Sequence, residues 1–247
     1  MLFDRLFSLI ANSWLITAYA FLCTIVLCVV FQFVFLRKAN RQEENPLTIG
    51  HFIWVYIFLF YLMLVYRVAG IGTVWIIGFY PELIRMDEIY LVPFGTFDTI
   101  DSLAPYLLNI LMTMPLGFLL PLIWKKFRSV KNVALAGFSL SLAVELSQLL
   151  NRRTTTTDDL IANTLGAVVG YFIFVLLFKI FRKDSEFKTK SKHRSPFLRY
   201  EAIIYLICSF MGVFLFYNGF FIDRINDSMK NSNASNGAIY DFHKEMP

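Results

Sequence analysis

The sequence predicts an all-α integral membrane protein, about six transmembrane helices in a compact bundle, and three observations carry that expectation. Of the 247 residues, 57% are hydrophobic and only 17% charged, whereas soluble globular domains sit nearer a quarter charged. The mean hydropathy is +0.58. Several apolar runs approach the roughly 20 residues that a helix needs to cross a hydrocarbon core of about 30 Å. The same figures exclude a disordered chain, a collagen-like fibre, a small disulfide scaffold and a water-soluble enzyme of the usual kind.

The first span runs from Trp14 to Leu36 and is stopped by the polar stretch from Arg37 to Pro46. It exceeds a signal-peptide core of about 7–15 residues and lacks a basic leader, so a retained helix is expected. The second begins near Phe52 and reaches about Ala69. A single helix from Ile49 to Tyr80 would be on the order of 48 Å long at 1.5 Å per residue. The expectation is therefore a break at Gly70-Ile71-Gly72, with Arg67 reaching the interface and Thr73 to Tyr80 lying on the membrane surface. The third span runs from Tyr106 to Trp124 around Pro115, which a bundle tolerates. The fourth runs from Val133 to Leu150, the fifth from Ile161 to Phe181, the sixth from Ala202 to Phe221. Short loops make the third, fourth and fifth neighbours. No internal repeat is visible, which weighs against a transporter built from inverted halves. Three regions follow: 1–87 with two spans, 88–181 with three, and 182–247 with a basic loop, the sixth span and a polar tail.

The net charge is +5 and the pI about 9.1, yet the basic residues gather in loops between apolar spans. That pattern marks membrane orientation rather than nucleic-acid binding. Segments 37–50, 125–132 and 179–200 hold three, four and eight Lys or Arg, fifteen of 23, all on one side if six spans alternate. That side should face the cytoplasm, leaving both termini, Glu82 to Asp101 and Asn151 to Asp159 outside. The eight charges of the last segment suit anionic headgroups as well as orientation. Cys23, Cys28 and Cys208 fall inside apolar spans, so neither a disulfide framework nor a metal site is expected. His51, His193 and His243 are scattered, no nucleophile motif is present, and no metal or cofactor is expected.

The polar residues inside the spans carry the functional information. Glu145 and Gln148 share a helix face, and Arg152 continues it. Glu145 lies roughly 9 Å below the outer helix end at 1.5 Å per residue. A charged residue at mid-membrane costs about 2.5–3.5 kcal/mol on insertion scales, so Glu145 should face other helices and find a partner. In the following loop, Thr157 or Asp158 can cap the fifth helix, and Asp158 and Asp159 suit the positive end of its dipole. Asp159 and Asn163 lie on one face. Gly166 and Gly170 form a GxxxG pattern expected to bring the fourth and fifth helices close. Glu145, Gln148, Arg152, Asp158, Asp159 and Asn163 are thus expected to gather beneath the outer surface, with Asn109 joining from the third span. The cluster reads equally as interhelical glue, with Asp158 as a cap.

Three stretches of this region resemble the VanZ-like membrane proteins. They are Leu91-Val92-Pro93-Phe94; Asn109 followed by Met114-Pro115-Leu116-Gly117-Phe118-Leu119-Leu120; and Glu145-Leu146-Ser147-Gln148 followed by Thr157-Asp158-Asp159-Leu160-Ile161-Ala162-Asn163-Thr164-Leu165-Gly166 and Gly170. Tyr90 departs from the pattern, standing where the family's Asn is expected. The resemblance, over about residues 88–180, implies a multi-pass protein of the bacterial plasma membrane acting at the cell envelope. The family is named for an accessory protein of teicoplanin-type glycopeptide resistance, and supplies no reaction. The partners implied are the lipid bilayer and a lipid-linked cell-wall precursor or the glycopeptide. One reading is a non-enzymatic protein whose outward cluster binds such a component. The other is a membrane-embedded enzyme with Glu145 and Asp159 as candidate catalytic acid and base. A proton-coupled transporter using Glu145 as relay is a third, weakened by the few ionisable groups in the spans.

Overall fold

The computed structural model describes residues 2–42, 46–77, 89–90, 92–93, 103–151, 153–181, 195–221, 224 and 228. Among the described residues, five helical stretches are long and apolar enough to cross a membrane: Ile16–Arg41, Ile49–Ile76, Leu103–Ile123, Val130–Gln148 and Thr157–Ile180, with a shorter apolar helix at Glu201–Phe216. The chain is an all-α, multi-pass membrane protein.

Helix α1 (Leu2–Phe31) does not stop where the first span was expected to end. It passes through a π-helical turn, Gln32–Leu36, into α2 (Arg37–Arg41). The long stems of Arg and Lys favour a continued helix, and α2 ends only where Asn40 turns the chain back by accepting the Leu47 N–H at 2.6 Å. The bulge places Gln32 Oε1 2.8 Å from the Tyr56 hydroxyl that donates to it. Helix α3 (Ile49–Ala69) starts at Thr48, whose side chain accepts the His51 N–H, and ends at Gly70. Gly70 has φ +67°, a left-handed conformation that glycine adopts without strain. The 3₁₀ turn Val74–Ile76 follows, anchored by Trp75 Nε1 donating to the Leu215 carbonyl at 3.0 Å; the rest of the expected surface segment, residues 78–80, lies outside the described residues.

Strand β1 (Ile89–Tyr90) pairs in parallel with β2 (Thr155–Thr156), Ile89 opposite Thr155 and Tyr90 opposite Thr156. Helices α4 (Leu103–Ile123), α5 (Val130–Gln148) and α6 (Thr157–Phe181) form one half of the bundle. Contrary to the sequence expectation, Gly166 and Gly170 pack against α4 rather than α5. A Cβ on Gly170 would collide with the Met114 carbonyl, one on Gly166 with Thr113 and the Ile110 carbonyl, and one on Gly117 with the Ala167 carbonyl. Both helices thus present glycines at the crossing and their backbones touch, while α5 meets α6 through the looser Gly137–Ala167 contact. Small residues specify closeness, and the glycine on the facing helix decides which neighbour takes it.

After α7 (Pro196–Arg199), α8 (Glu201–Phe216) packs on α1 and α3. At 16 residues it is about 24 Å long, shorter than the expected sixth span. The Tyr66 hydroxyl meets Ser209 Oγ at 3.0 Å, and Gly212 lies against the Cys23 carbonyl. Tyr61 donates to the Met112 carbonyl at 2.8 Å, joining the two halves. Phe58, Leu59, Leu62, Leu120 and Tyr205 are fully buried between them, whereas Leu107, Leu111, Leu135, Leu146 and Leu176 point outward as a lipid-facing surface. Hydrogen bonds bring the helix ends at Ala69, Gln148 and Asn151 to one rim and those at His51, Trp124 and Glu201 to the other. The described parts of the three basic segments, residues 37–42, 46–50, 125–132, 179–181 and 195–200, adjoin helix ends at the second rim.

Candidate functional site

The site lies at the first rim, where the N-terminus of α6 meets the last turn of α5. Pairing with Ile89–Tyr90 holds Thr155 and Thr156 extended, so α6 cannot begin before Thr157. The cap is therefore Thr156, not Thr157 or Asp158: its Oγ1 accepts the Asp159 N–H at 3.0 Å. In a capping box the carboxylate three residues on would take the N–H of the cap residue itself. Here a different helix supplies it. Glu145 Oε2 accepts the Thr156 N–H at 3.2 Å, and Thr155 Oγ1 donates to the Glu145 carbonyl at 3.3 Å. The dipole of α6 favours negative charge at that point.

The Asp159 carboxylate therefore leaves the Thr156 N–H to Glu145; it meets the Thr156 side chain and, on α4, the Asn109 amide, which donates to its Oδ1. Glu145 is only 4% exposed, and Asp159 is half-buried and close enough for the two carboxylates to act on each other. Asn109, Glu145 and Asp159 are thus drawn together through Thr156. Asp158 is half-buried in the first turn of α6. Asn163 lies one turn deeper, buried, its Nδ2 donating to Ser141 Oγ at 3.0 Å. Arg152 lies outside the described residues.

Gln148 turns to the side. Its Nε2 donates to the Ala69 carbonyl at 2.7 Å, while Asn151 Nδ2 takes the Gly70 carbonyl at 2.7 Å and Arg153 takes Ala69 at 2.6 Å. These donors satisfy the carbonyl end of α3, and the guanidinium lies where a Gly70 Cβ would stand.

The VanZ/LLP1 family model matches residues 19–179, from α1 to the last turn of α6 and so well over half of the chain. The chain belongs to the VanZ/LLP1 family. The match extends the resemblance back through the first two spans, so α1 and α3 are part of the VanZ-like unit, while α7 and α8 lie beyond it. No curated protein and no solved structure matches the chain.

A second polar centre of this VanZ-like protein escaped sequence reasoning. At the opposite rim Glu201, 2% exposed, opens α8. His51 Nε2 lies 3.0 Å from each of its oxygens, and Trp124 Nε1 donates to Oε2 at 2.8 Å. One carboxylate joins α3, the end of α4 and α8. A periodicity signal existed: Glu201, Tyr205 and Ser209 recur every four residues and form the buried stripe of α8. Nothing local in the sequence links His51 to a carboxylate 150 residues away. Among the described residues, no group of three or more His, Cys, Asp or Glu side chains could hold a metal ion.

Proposed function

We propose that this VanZ-like protein is a non-enzymatic component of the bacterial cell envelope. In this reading it sits in the plasma membrane with the basic rim toward the cytoplasm, both termini outside, and the Asn109–Glu145–Asp159 cluster beneath the outer surface. There it engages a lipid-linked cell-wall precursor, or the glycopeptide's access to one, and so contributes to teicoplanin-type resistance. Residues 88–181 form the functional unit, with 1–87 and 182–247 as its membrane support. The observation that carries the reading is the bond from the Thr156 N–H to Glu145. A buried carboxylate at the loop that joins two spans is costly to keep there, and it is held beside Asp159 at the rim away from the basic segments.

The test compares wild type, Glu145→Gln and Asp159→Asn at matched membrane levels, scored for teicoplanin susceptibility. Either isosteric change should abolish the protein's contribution to resistance. Full resistance from both variants would reduce the cluster to interhelical glue. For sidedness, a Thr154→Cys variant, exposed in the same loop, should react with a membrane-impermeant maleimide on intact cells. Reaction only after lysis would place the cluster on the cytoplasmic side.

The proximity of Glu145 and Asp159 supports a second reading, an enzyme using them as acid and base on a lipid substrate. A changed precursor or lipid profile that disappears in both variants would select it.

A further inference from the structure

Among the described residues around the cluster, the buried side-chain polar atoms that lack a partner are oxygens. Gln148 is 7% exposed, and its Nε2 donates to a main-chain carbonyl. A carbonyl can only accept, so that bond settles which end of the amide is nitrogen, and Oε1 is left buried and unpaired. Asn163, 6% exposed, spends Nδ2 on Ser141 and leaves Oδ1 unpaired as well. Ser141 stands one turn below Glu145 on α5, and Asn163 one turn below Asp159 on α6. Their bond therefore crosses the gap between the helices directly beneath the two carboxylates. Gln148 stands almost one turn above Glu145.

Buried acceptors without a donor are destabilising, and two carboxylates across one gap repel. A single species relieves both: a compact cation with several N–H groups. A phosphate, which accepts and carries negative charge, would aggravate both. We propose that the gap between α5 and α6 binds a primary ammonium group, with Glu145 and Asp159 as counter-charges and Asn163 Oδ1 as a neutral acceptor. This deepens the reading of the cluster as a binding site and rests on it. The ammonium can come from an aminophospholipid headgroup or from a soluble amine, and both are tested.

The full chain is placed in nanodiscs of equal phosphatidylethanolamine and phosphatidylglycerol, and retained lipids are read by native mass spectrometry. Phosphatidylethanolamine should be retained about fivefold or more over phosphatidylglycerol, a preference that Glu145→Gln and Asp159→Asn erase and Asn163→Leu weakens. In parallel, wild-type protein in detergent is melted with ethanolamine or choline chloride at equal ionic strength. Choline carries the charge without an N–H. A higher Tm in ethanolamine alone, without lipid preference, assigns the site to soluble amines. Equal lipid retention together with equal Tm overturns the proposal, as does a preference that no variant moves. The two wild-type comparisons stand even if a variant fails to fold. Variants that lose resistance while wild type shows no ammonium preference overturn this inference and leave the functional reading intact.

Discussion

Gly170→Leu empties the membrane fraction of folded protein. The Cβ that leucine would add lands on the Met114 carbonyl, with the Phe118 backbone nitrogen 3.1 Å away. These are main-chain atoms of a neighbouring helix, so no rotamer change makes room and α4 must separate from α6. Overpacking a buried site typically costs 1–3 kcal/mol. Opening the close α4–α6 interface should exceed that range, at about 3 kcal/mol or more, enough to erase most of a marginal stability. Gly219→Leu is the matched control, because a side chain there meets nothing within 4 Å. The measurement is the monodisperse yield of each variant in mild detergent. A Gly170→Leu protein that runs as a single peak at wild-type yield would refute the packing described for α4 and α6.

Glu201→Ala should lower stability by about 1–3 kcal/mol for each donor it strands, the usual cost of leaving a buried hydrogen-bonding group without its partner. The loss strands the ring nitrogen of His51 and the indole N–H of Trp124 where they have lost their acceptor. Because three helices end at this carboxylate, the damage should spread to α8 as a whole, seen as a drop in melting temperature and as protease cleavage between α6 and α8. Replacing both members with apolar residues, His51→Leu with Glu201→Met, should recover part of the loss, since paired removal leaves fewer orphaned groups than single removal. A Glu201→Ala protein melting at the wild-type temperature would reduce the triad to a bystander.

Hydropathy and helical spacing carried much of this architecture. Long apolar runs are dictated by the bilayer itself, so the five long spans could be read directly. Glu145, Asp159 and Asn109 were legible as a group because a carboxylate inside a span must find company, and the short loop between spans four and five brings the candidates near. What escaped depended on partners distant in sequence. Thr156 caps α6 because residues 89–90 hold it extended, and a two-residue strand has no pattern of its own. The Gly166–Gly170 pair announces contact without naming the helix it contacts. His51 looked solitary because its partner opens a helix 150 residues later.

The three donors on the carbonyl end of α3 have a mechanical consequence. Gln148, Asn151 and Arg153 come from the turn that leads into the Thr156–Glu145 junction, so this turn grips one half of the molecule while carrying the anionic centre of the other. The halves cannot shear past each other without tearing these clasps, and any tilt of α3 is delivered straight to the carboxylates.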